Sequence, residues 1–246
     1  MTAQATAQRV QTPADLILLD IEGTVSPLAY VHTKMFPYAR ARMGDFLVSN
    51  LSRTEVAAAL TQVATDATGT GLVLPPPSAA NLPVIIAHLN ELMDHDIKAT
   101  GLKQLQGLIW EGGFRSGELR ADLFPDVAPA LRAWHAAGVE LQVYSSGSNH
   151  AQKLFFAHTV DGDLTPLLAG HHDTTVGPKK AAASYAAIAA ASGRAPEAIL
   201  FLSDIVAELD AARAAGLRTA LALRPDNPPA PAHDHPVFSS LLELTP

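Results

Sequence analysis

Four consecutive apolar residues, Leu16 to Leu19, run straight into Asp20, and Glu22, Gly23 and Thr24 follow at once. A short continuous apolar run closed by a turn signal is the pattern of a parallel strand buried on both faces. From Pro27 to Asp122 the pattern changes. The segments "VHTKMFPYARARMGDFLVSNL", "RTEVAAALTQVATDA", "NLPVIIAHLNELMDHDIKA" and "LKQLQGLIWEGGF" carry apolar residues at helical spacing, and "GLVLPPPS" interrupts them with Pro75, Pro76 and Pro77. No strand is expected in this block.

After "LFPDV" an alternation begins. "VAPALRAWHAAG" predicts a helix stopped by Gly138, and "VELQVYSSGS" a strand ending in a Ser/Gly turn. "NHAQKLFFAHT" and "KKAAASYAAIAAASG" predict helices, "AILFLSD" a strand ending on an acid, "IVAELDAARAAG" a helix and "LRTALAL" a strand. The Pro-rich "RPDNPPAPAHDHP" reads as a loop, with a short C-terminal helix after it. Strands alternating with helices make a parallel sheet with right-handed crossovers. The expected fold class is therefore α/β, a doubly wound parallel-sheet core with a helical cap domain inserted after the first strand. The expected boundaries are a flexible N-terminal tail over 1–13, a core over 14–26 and 123–246, and a cap over 27–122.

Composition narrows the chemistry. The chain has 246 residues, 48% of them apolar, which is ample for a core. It has no cysteine, so disulfides, thiolate nucleophiles and Cys-based zinc sites are excluded. A net charge of −7 argues against a nucleic-acid partner. No apolar run approaches the roughly 18–20 residues of a membrane span, and the polar start "MTAQATAQRVQTPAD" lacks the features of a signal peptide. A cytoplasmic protein that acts on a small molecule is the expectation.

Ligands of open parallel sheets bind at the carboxyl ends of the strands. Asp20 and Glu22, Ser145, Ser146 and Gly147, and Asp204 are all expected there, with Lys179 just ahead of a helix. Asp20 is a candidate nucleophile toward phosphorus. Glu22 is a candidate acid and base, redirected by the turn at Gly23. Asp20 and Asp204 form an oxygen set suited to Mg2+. Ser145, Ser146 and the amides near Gly147 suit phosphate oxygens, and Lys179 adds a positive charge. Each residue also has a plainer reading: Ser-Ser-Gly-Ser as a helix cap, Lys179 as a solvated side chain, Asp204 as an N-cap, Asp20 as a turn acid. The ordered set favours phosphoryl chemistry over independent turns.

The motifs "DIEGT", "VYSSGS", a lysine and "FLSD" in that order resemble the haloacid dehalogenase superfamily. Most of its phosphatases carry Asp at the second acid, where this chain has Glu22. With "VHTKMFPYARARM", "LKQLQGLIWEGGFRSGEL" and "GDLTPLLAGHHDTTVGPKKAAASY", the chain from Leu16 to Arg224 is similar to the enolase-phosphatases, or acireductone synthases, of methionine salvage. The resemblance implies enolisation of 2,3-diketo-5-methylthiopentyl 1-phosphate and its dephosphorylation to 1,2-dihydroxy-3-keto-5-methylthiopentene by a monomer. It implies Mg2+ held by the Asp20 and Asp204 carboxylates and the Glu22 backbone carbonyl, and substrate held by Ser145, Ser146 and Lys179. Glu208 falls where the superfamily often keeps a further acid near the metal. In the cap, Lys103, Gln106, Trp110 and Glu111 are candidates for the diketone or the methylthio tail, with cap packing for Trp110 and a surface charge for Lys103 as the alternatives. Another capped phosphatase, a dehalogenase-type hydrolase and a binding protein of the same fold are the competing functions. His171, His172 and Asp173, read as part of a loop, are weighed as a metal site and set below the oxygen set. His233 to His235 are expected on a flexible surface, His88 and His95 as structural residues, and Met35, Phe36 and Tyr38 as cap packing.

Overall fold

The computed structural model describes residues 10–11, 13–95, 97 and 99–245. Most of the tail expected over 1–13 lies outside the described residues, as do positions 96 and 98 in the segment read as a helix over 81–99. Two compact units form: one runs to Tyr30 and resumes at Arg120, and the other is Val31–Leu119.

In the first unit, β1 (Val10–Gln11) pairs in parallel with β8 (Leu244–Thr245). The main sheet contains β2 (Leu16–Leu19), β3 (Glu140–Tyr144), β4 (Gly170–His172), β5 (Ile199–Ser203), β6 (Arg218–Ala222) and β7 (Val237–Phe238). Its order is β4-β3-β2-β5-β6-β7, and every pairing is parallel. β2 is central, with Leu19 opposite Val143 on one side and Leu202 on the other. All four of its side chains are fully buried, which is why its sequence is apolar throughout and not alternating. Each such burial stabilises by roughly 1.5–3 kcal/mol.

Helices complete this unit: a single turn α1 (Leu28–Tyr30), then α6 (Val127–Ala136), α7 (Asn149–Ala157), α8 (Ala182–Ser192) and α9 (Val206–Ala214). Leu16 and Leu18 share a core with Tyr185 and Ile188 of α8 and Leu209 and Ala212 of α9. The Ala-rich α8 thus lies close against the sheet, with Tyr185 filling the space its alanines leave. α6 packs on β3 and α7 on β4.

The second unit is helical. After a π-helical turn (Val31–Met35) come α2 (Phe36–Asn50), α3 (Thr54–Gly69), α4 (Leu82–Asp94) and α5 (Thr100–Ser116). Met43, Leu47, Val56, Leu60, Ile85, Leu89, Leu105 and Ile109 form its core. A Cβ at Gly101 would sit 2.4 Å from the Val63 nitrogen, so glycine lets α5 meet α3 backbone to backbone. Asp66 accepts from the Gly101 N–H at 2.7 Å and satisfies a donor in the first turn of α5.

Several local expectations are corrected. "GHH" is the edge strand β4, not a loop, because it needs only one partner and its half-buried residues carry no apolar alternation. The expected C-terminal helix is one 3-10 turn, Leu241–Glu243, between β7 and β8, because these short strands take the backbone on either side. His235 is buried, not on a flexible surface: its Nδ1 lies 2.8 Å from Thr219 Oγ1 and its Nε2 3.1 Å from Asp210. Among the described residues, no helix is long and apolar enough to cross a membrane.

A buried ion pair ties the C-terminal segment to the start of α6. Arg224 Nη1 donates to both Asp126 oxygens, at 3.0 and 2.9 Å, and to the Ser239 carbonyl at 2.8 Å. Asp126 also accepts from the Leu241 N–H at 2.6 Å. The two side chains are 2% and 12% exposed, so removing one partner strands a desolvated charge. Asp126→Ala is expected to lower the unfolding free energy by about 3 kcal/mol, read by urea denaturation; a loss below about 1 kcal/mol would place this pair among weak surface bridges.

Candidate active site

The carboxyl end of β2 continues one residue past the strand: Asp20 N–H donates to the Leu202 carbonyl at 3.0 Å. The chain then turns. The amides of Thr24, Val25 and Ser26 all lie within hydrogen-bonding distance of the Ile21 carbonyl, at 2.9 to 3.2 Å. Gly23 sits at φ 74°, and a Cβ there would fall 2.3 Å from Asp204 Oδ2. Glycine is required twice over, by the left-handed backbone and by the contact with Asp204.

Lys179 is the cation at the centre. Its ammonium lies 2.6 Å from Asp20 Oδ1 and 2.7 Å from Glu208 Oε2, and its side chain is 10% exposed. Its loop is pinned by hydroxyls. Tyr144 donates to the Gly177 carbonyl at 2.9 Å, Ser184 to Pro178 at 2.8 Å and Tyr185 to Lys179 at 2.6 Å. The two carboxylates raise the Lys179 pKa against the opposing effect of burial, which keeps it charged.

The remaining acids crowd this pair. Burial and then the charge of Asp20 raise the Asp204 carboxyl to about 7. Burial and Asp20 also raise Glu22 and Glu208. Ser145 Oγ donates to Glu22 at 3.2 Å, and Ser203 Oγ donates to Glu208 at 3.0 Å. Asp20, Glu22, Asp204 and Glu208 therefore share one edge with the Lys179 ammonium, and negative charge exceeds positive.

The structure thus brings together Asp20, Glu22, Ser145, Lys179, Asp204 and Glu208. Ser146, the next residue after Ser145, is exposed. The cap reading of "SSGS" belongs to Ser148, whose hydroxyl accepts from the Ala151 N–H at 3.2 Å. Asp204 does not cap α9; that helix starts after Ile205 with no side-chain cap. His172 Nε2 lies 2.6 Å from Gln142 Oε1 and His171 Nδ1 3.3 Å from Gln152 Oε1. Among the described residues, no three His, Asp or Glu side chains converge as a metal cage.

The other candidates lie on α5 of the helical unit. Lys103 is exposed, and Gln106 is buried. Trp110 packs on the unit's core and donates Nε1–H to the Met35 carbonyl at 2.8 Å, with its ring 6.1 Å from that of Phe36. Glu111 pairs with Arg115 at 2.6 Å.

Sequence reasoning missed three residues. Ser203 sits beside Asp204 in "FLSD", and a hydroxyl at a strand end was its available signal. Arg224 donates Nε–H to the Thr24 carbonyl at 2.9 Å, and Asn227 donates to the Gly23 carbonyl at 2.9 Å. Both lie in a Pro-rich stretch that reads as surface loop.

Known proteins share this arrangement of chain. The model of haloacid dehalogenase-like hydrolases matches residues 14–216. Enolase-phosphatase E1 of Gluconacetobacter diazotrophicus is 49% identical over 227 residues, covering 92% of this chain and 91% of its own. Enolase-phosphatase E1 of Synechococcus elongatus is 46% identical over 229 residues, covering 93% and 96%. The crystal structure of the UTR4 protein of Saccharomyces cerevisiae superposes with a TM-score of 0.73 at 32% identity, covering 92% of this chain and 98% of that one.

Removing the central ammonium tests the charge balance directly. In Lys179→Met, Asp20 and Glu208 lose their partner beside Asp204 and Glu22. The folded-state pKa of Glu208, already raised by burial and by Asp20 and held down by Lys179, then rises further above its unfolded value of about 4. The folded state holds protons that the unfolded state has released, so stability falls as pH rises above about 4. In a chelator-treated sample the variant should lose about 3 kcal/mol at about pH 8 and clearly less at about pH 5, by urea denaturation. A pH-independent loss would contradict the charge account.

Proposed function

This chain belongs to the enolase-phosphatase E1 family of haloacid dehalogenase-like hydrolases and is a phosphatase, and from that premise we propose that it enolises 2,3-diketo-5-methylthiopentyl 1-phosphate and hydrolyses the phosphate ester, releasing 1,2-dihydroxy-3-keto-5-methylthiopentene. The observation that carries the reading is the Asp20 carboxylate, held by Lys179 at the end of the central strand beside Glu22 and Asp204.

An Asp20 oxygen attacks phosphorus as the bond to the ester oxygen breaks, leaving an aspartyl phosphate. Glu22 gives a proton to the departing oxygen. Its raised pKa suits that role, because burial and Asp20 favour the protonated form. Glu22 then takes a proton from water as the water oxygen attacks phosphorus, which frees inorganic phosphate and restores Asp20. Ser145 and Ser146 hold the phosphate, and Ser145 also aims Glu22. Lys179 holds the nucleophile's orientation and balances charge through Asp20 and Glu208.

The donor set fits Mg2+. Asp204 is pushed to about 7 by burial and by Asp20, a crowding of negative charge that a divalent cation relieves. Asp20, Asp204 and the Glu22 backbone carbonyl would hold the ion, since Mg2+ takes one or two carboxylates and keeps several waters. When bound, Mg2+ supplies neutralisation of charge on the phosphoryl oxygens. The helical unit is the cap in this reading. Lys103, Gln106, Trp110 and Glu111 are its candidates for recognising the diketone or the methylthio tail. The family likeness supports a cytoplasmic monomer acting on a small phosphate ester.

An anaerobic assay on the diketone phosphate with Mg2+ follows enediol absorbance and free phosphate together. Both signals should appear, Asp20→Asn should release no phosphate while melting as a folded protein, and a chelator should stop the wild type. Phosphate release from other esters with none from the diketone would reject the substrate, and turnover by Asp20→Asn would reject the nucleophile.

A further inference from the structure

The loop after β6 reaches back into the turn that follows Asp20. Arg224 anchors it through the Thr24 carbonyl at 2.9 Å. Asp226 follows at φ 66°, a left-handed backbone that residues other than glycine seldom adopt. Asn227 comes next, and its amide nitrogen donates to two groups: the Gly23 carbonyl at 2.9 Å and Asp204 Oδ2 at 3.4 Å. Its Oδ1 is buried without a hydrogen-bond partner. A left-handed aspartate and an unmet buried acceptor both cost stability, and such costs gather where geometry serves a site.

What the loop gains is one neutral donor at the seam between two acid-bearing segments. Gly23 leaves no space for a Cβ against Asp204, so the turn and that carboxylate already touch. A Lys or Arg here would neutralise Asp204, and an Asp would add to the crowded negative charge. An amide does neither, and it can bond the turn and the carboxylate with its two hydrogens. We propose that Asn227 is a positioning residue that locks the Asp204 carboxylate to the Gly23 turn and so sets the spacing of the cation-binding oxygens before the cation arrives. The inference rests on the Mg2+ reading given above. It differs from a plain loop clip in one respect: its loss changes the affinity for the cation more than it changes the fold.

The test is calorimetric titration of Mg2+ into the metal-stripped full chain, for wild type, Asn227→Leu, Asn227→Ser and Asp204→Asn, with melting curves in the absence of metal. Asn227→Leu matches the side chain's size without its donors, and Asn227→Ser is smaller, so at least one retains the fold. Both should bind Mg2+ about tenfold more weakly or worse, with metal-free melting points close to wild type. Turnover of the diketone phosphate should show kcat falling while KM changes by less than about twofold. Wild-type Mg2+ affinity in both variants, with affinity lost in Asp204→Asn, would overturn the positioning role and leave the Mg2+ reading standing. Wild-type affinity in Asp204→Asn would overturn the Mg2+ reading and this inference with it.

Discussion

The ammonium of Lys179, enclosed between Asp20 and Glu208 at 2.6 and 2.7 Å, is the interaction on which the sheet edge depends. Taking such charges out of water costs several kcal/mol per ion. One ammonium offsets part of that cost for two carboxylates, yet Asp204 and Glu22 stand beside the same pair and are pushed toward their protonated forms by burial and by Asp20. The edge is therefore left short of positive charge. In the proposed mechanism that shortage is what draws a divalent cation to Asp20, and the bound cation would offset the repulsion that an anionic phosphate meets there.

The fold makes this arrangement tolerable by surrounding it with rigid apolar structure. The fully buried Leu16, Ile17, Leu18 and Leu19 contribute roughly 1.5–3 kcal/mol each as an upper estimate, comparable with the cost of the charges at the strand's end. Parallel pairing on both sides of β2 fixes where Asp20 ends up relative to Ser203 and Tyr144. The buried Tyr144 and Tyr185, with Ser184, hold the Lys179 loop through its carbonyls, so the ammonium arrives on a tethered backbone. The Gly23 turn presses on Asp204, and the Arg224–Asn227 loop bonds that turn from outside the sheet. The Tyr144, Gly23, Arg224 and Asn227 contacts each join segments far apart in sequence.

That distance explains what the sequence could and could not reveal. Asp20, Glu22 and Asp204 were legible because each follows a continuous apolar run, and such a run ends where an open parallel sheet binds its ligands. The crossover pattern gave the parallel sheet and the helical insertion for the same reason: periodicity is local. β4 escaped notice because an edge strand of three half-buried residues has no apolar signature. His235, Arg224 and Asn227 escaped because their partners lie elsewhere in the chain. Arg224 and Asn227 meet carbonyls about two hundred residues away, and no spacing rule reports a side chain bonded to a distant backbone. The prolines around them disguised a buried anchor as a solvent loop. On α5, helical periodicity correctly grouped Lys103, Gln106, Trp110 and Glu111 on one element. It did not reveal that Trp110 is hydrogen-bonded to Met35 or that Glu111 is paired with Arg115.

The central claim is that Asp20 itself takes the phosphoryl group. The most direct measurement is to quench the enzyme in acid during turnover of the diketone phosphate, reduce it with borohydride, and map the modified peptide by mass spectrometry. Borohydride converts an aspartyl phosphate to homoserine. The account predicts homoserine at position 20, found only when substrate is present. Unmodified Asp20 under conditions that trap a phosphoryl group on another residue would contradict it.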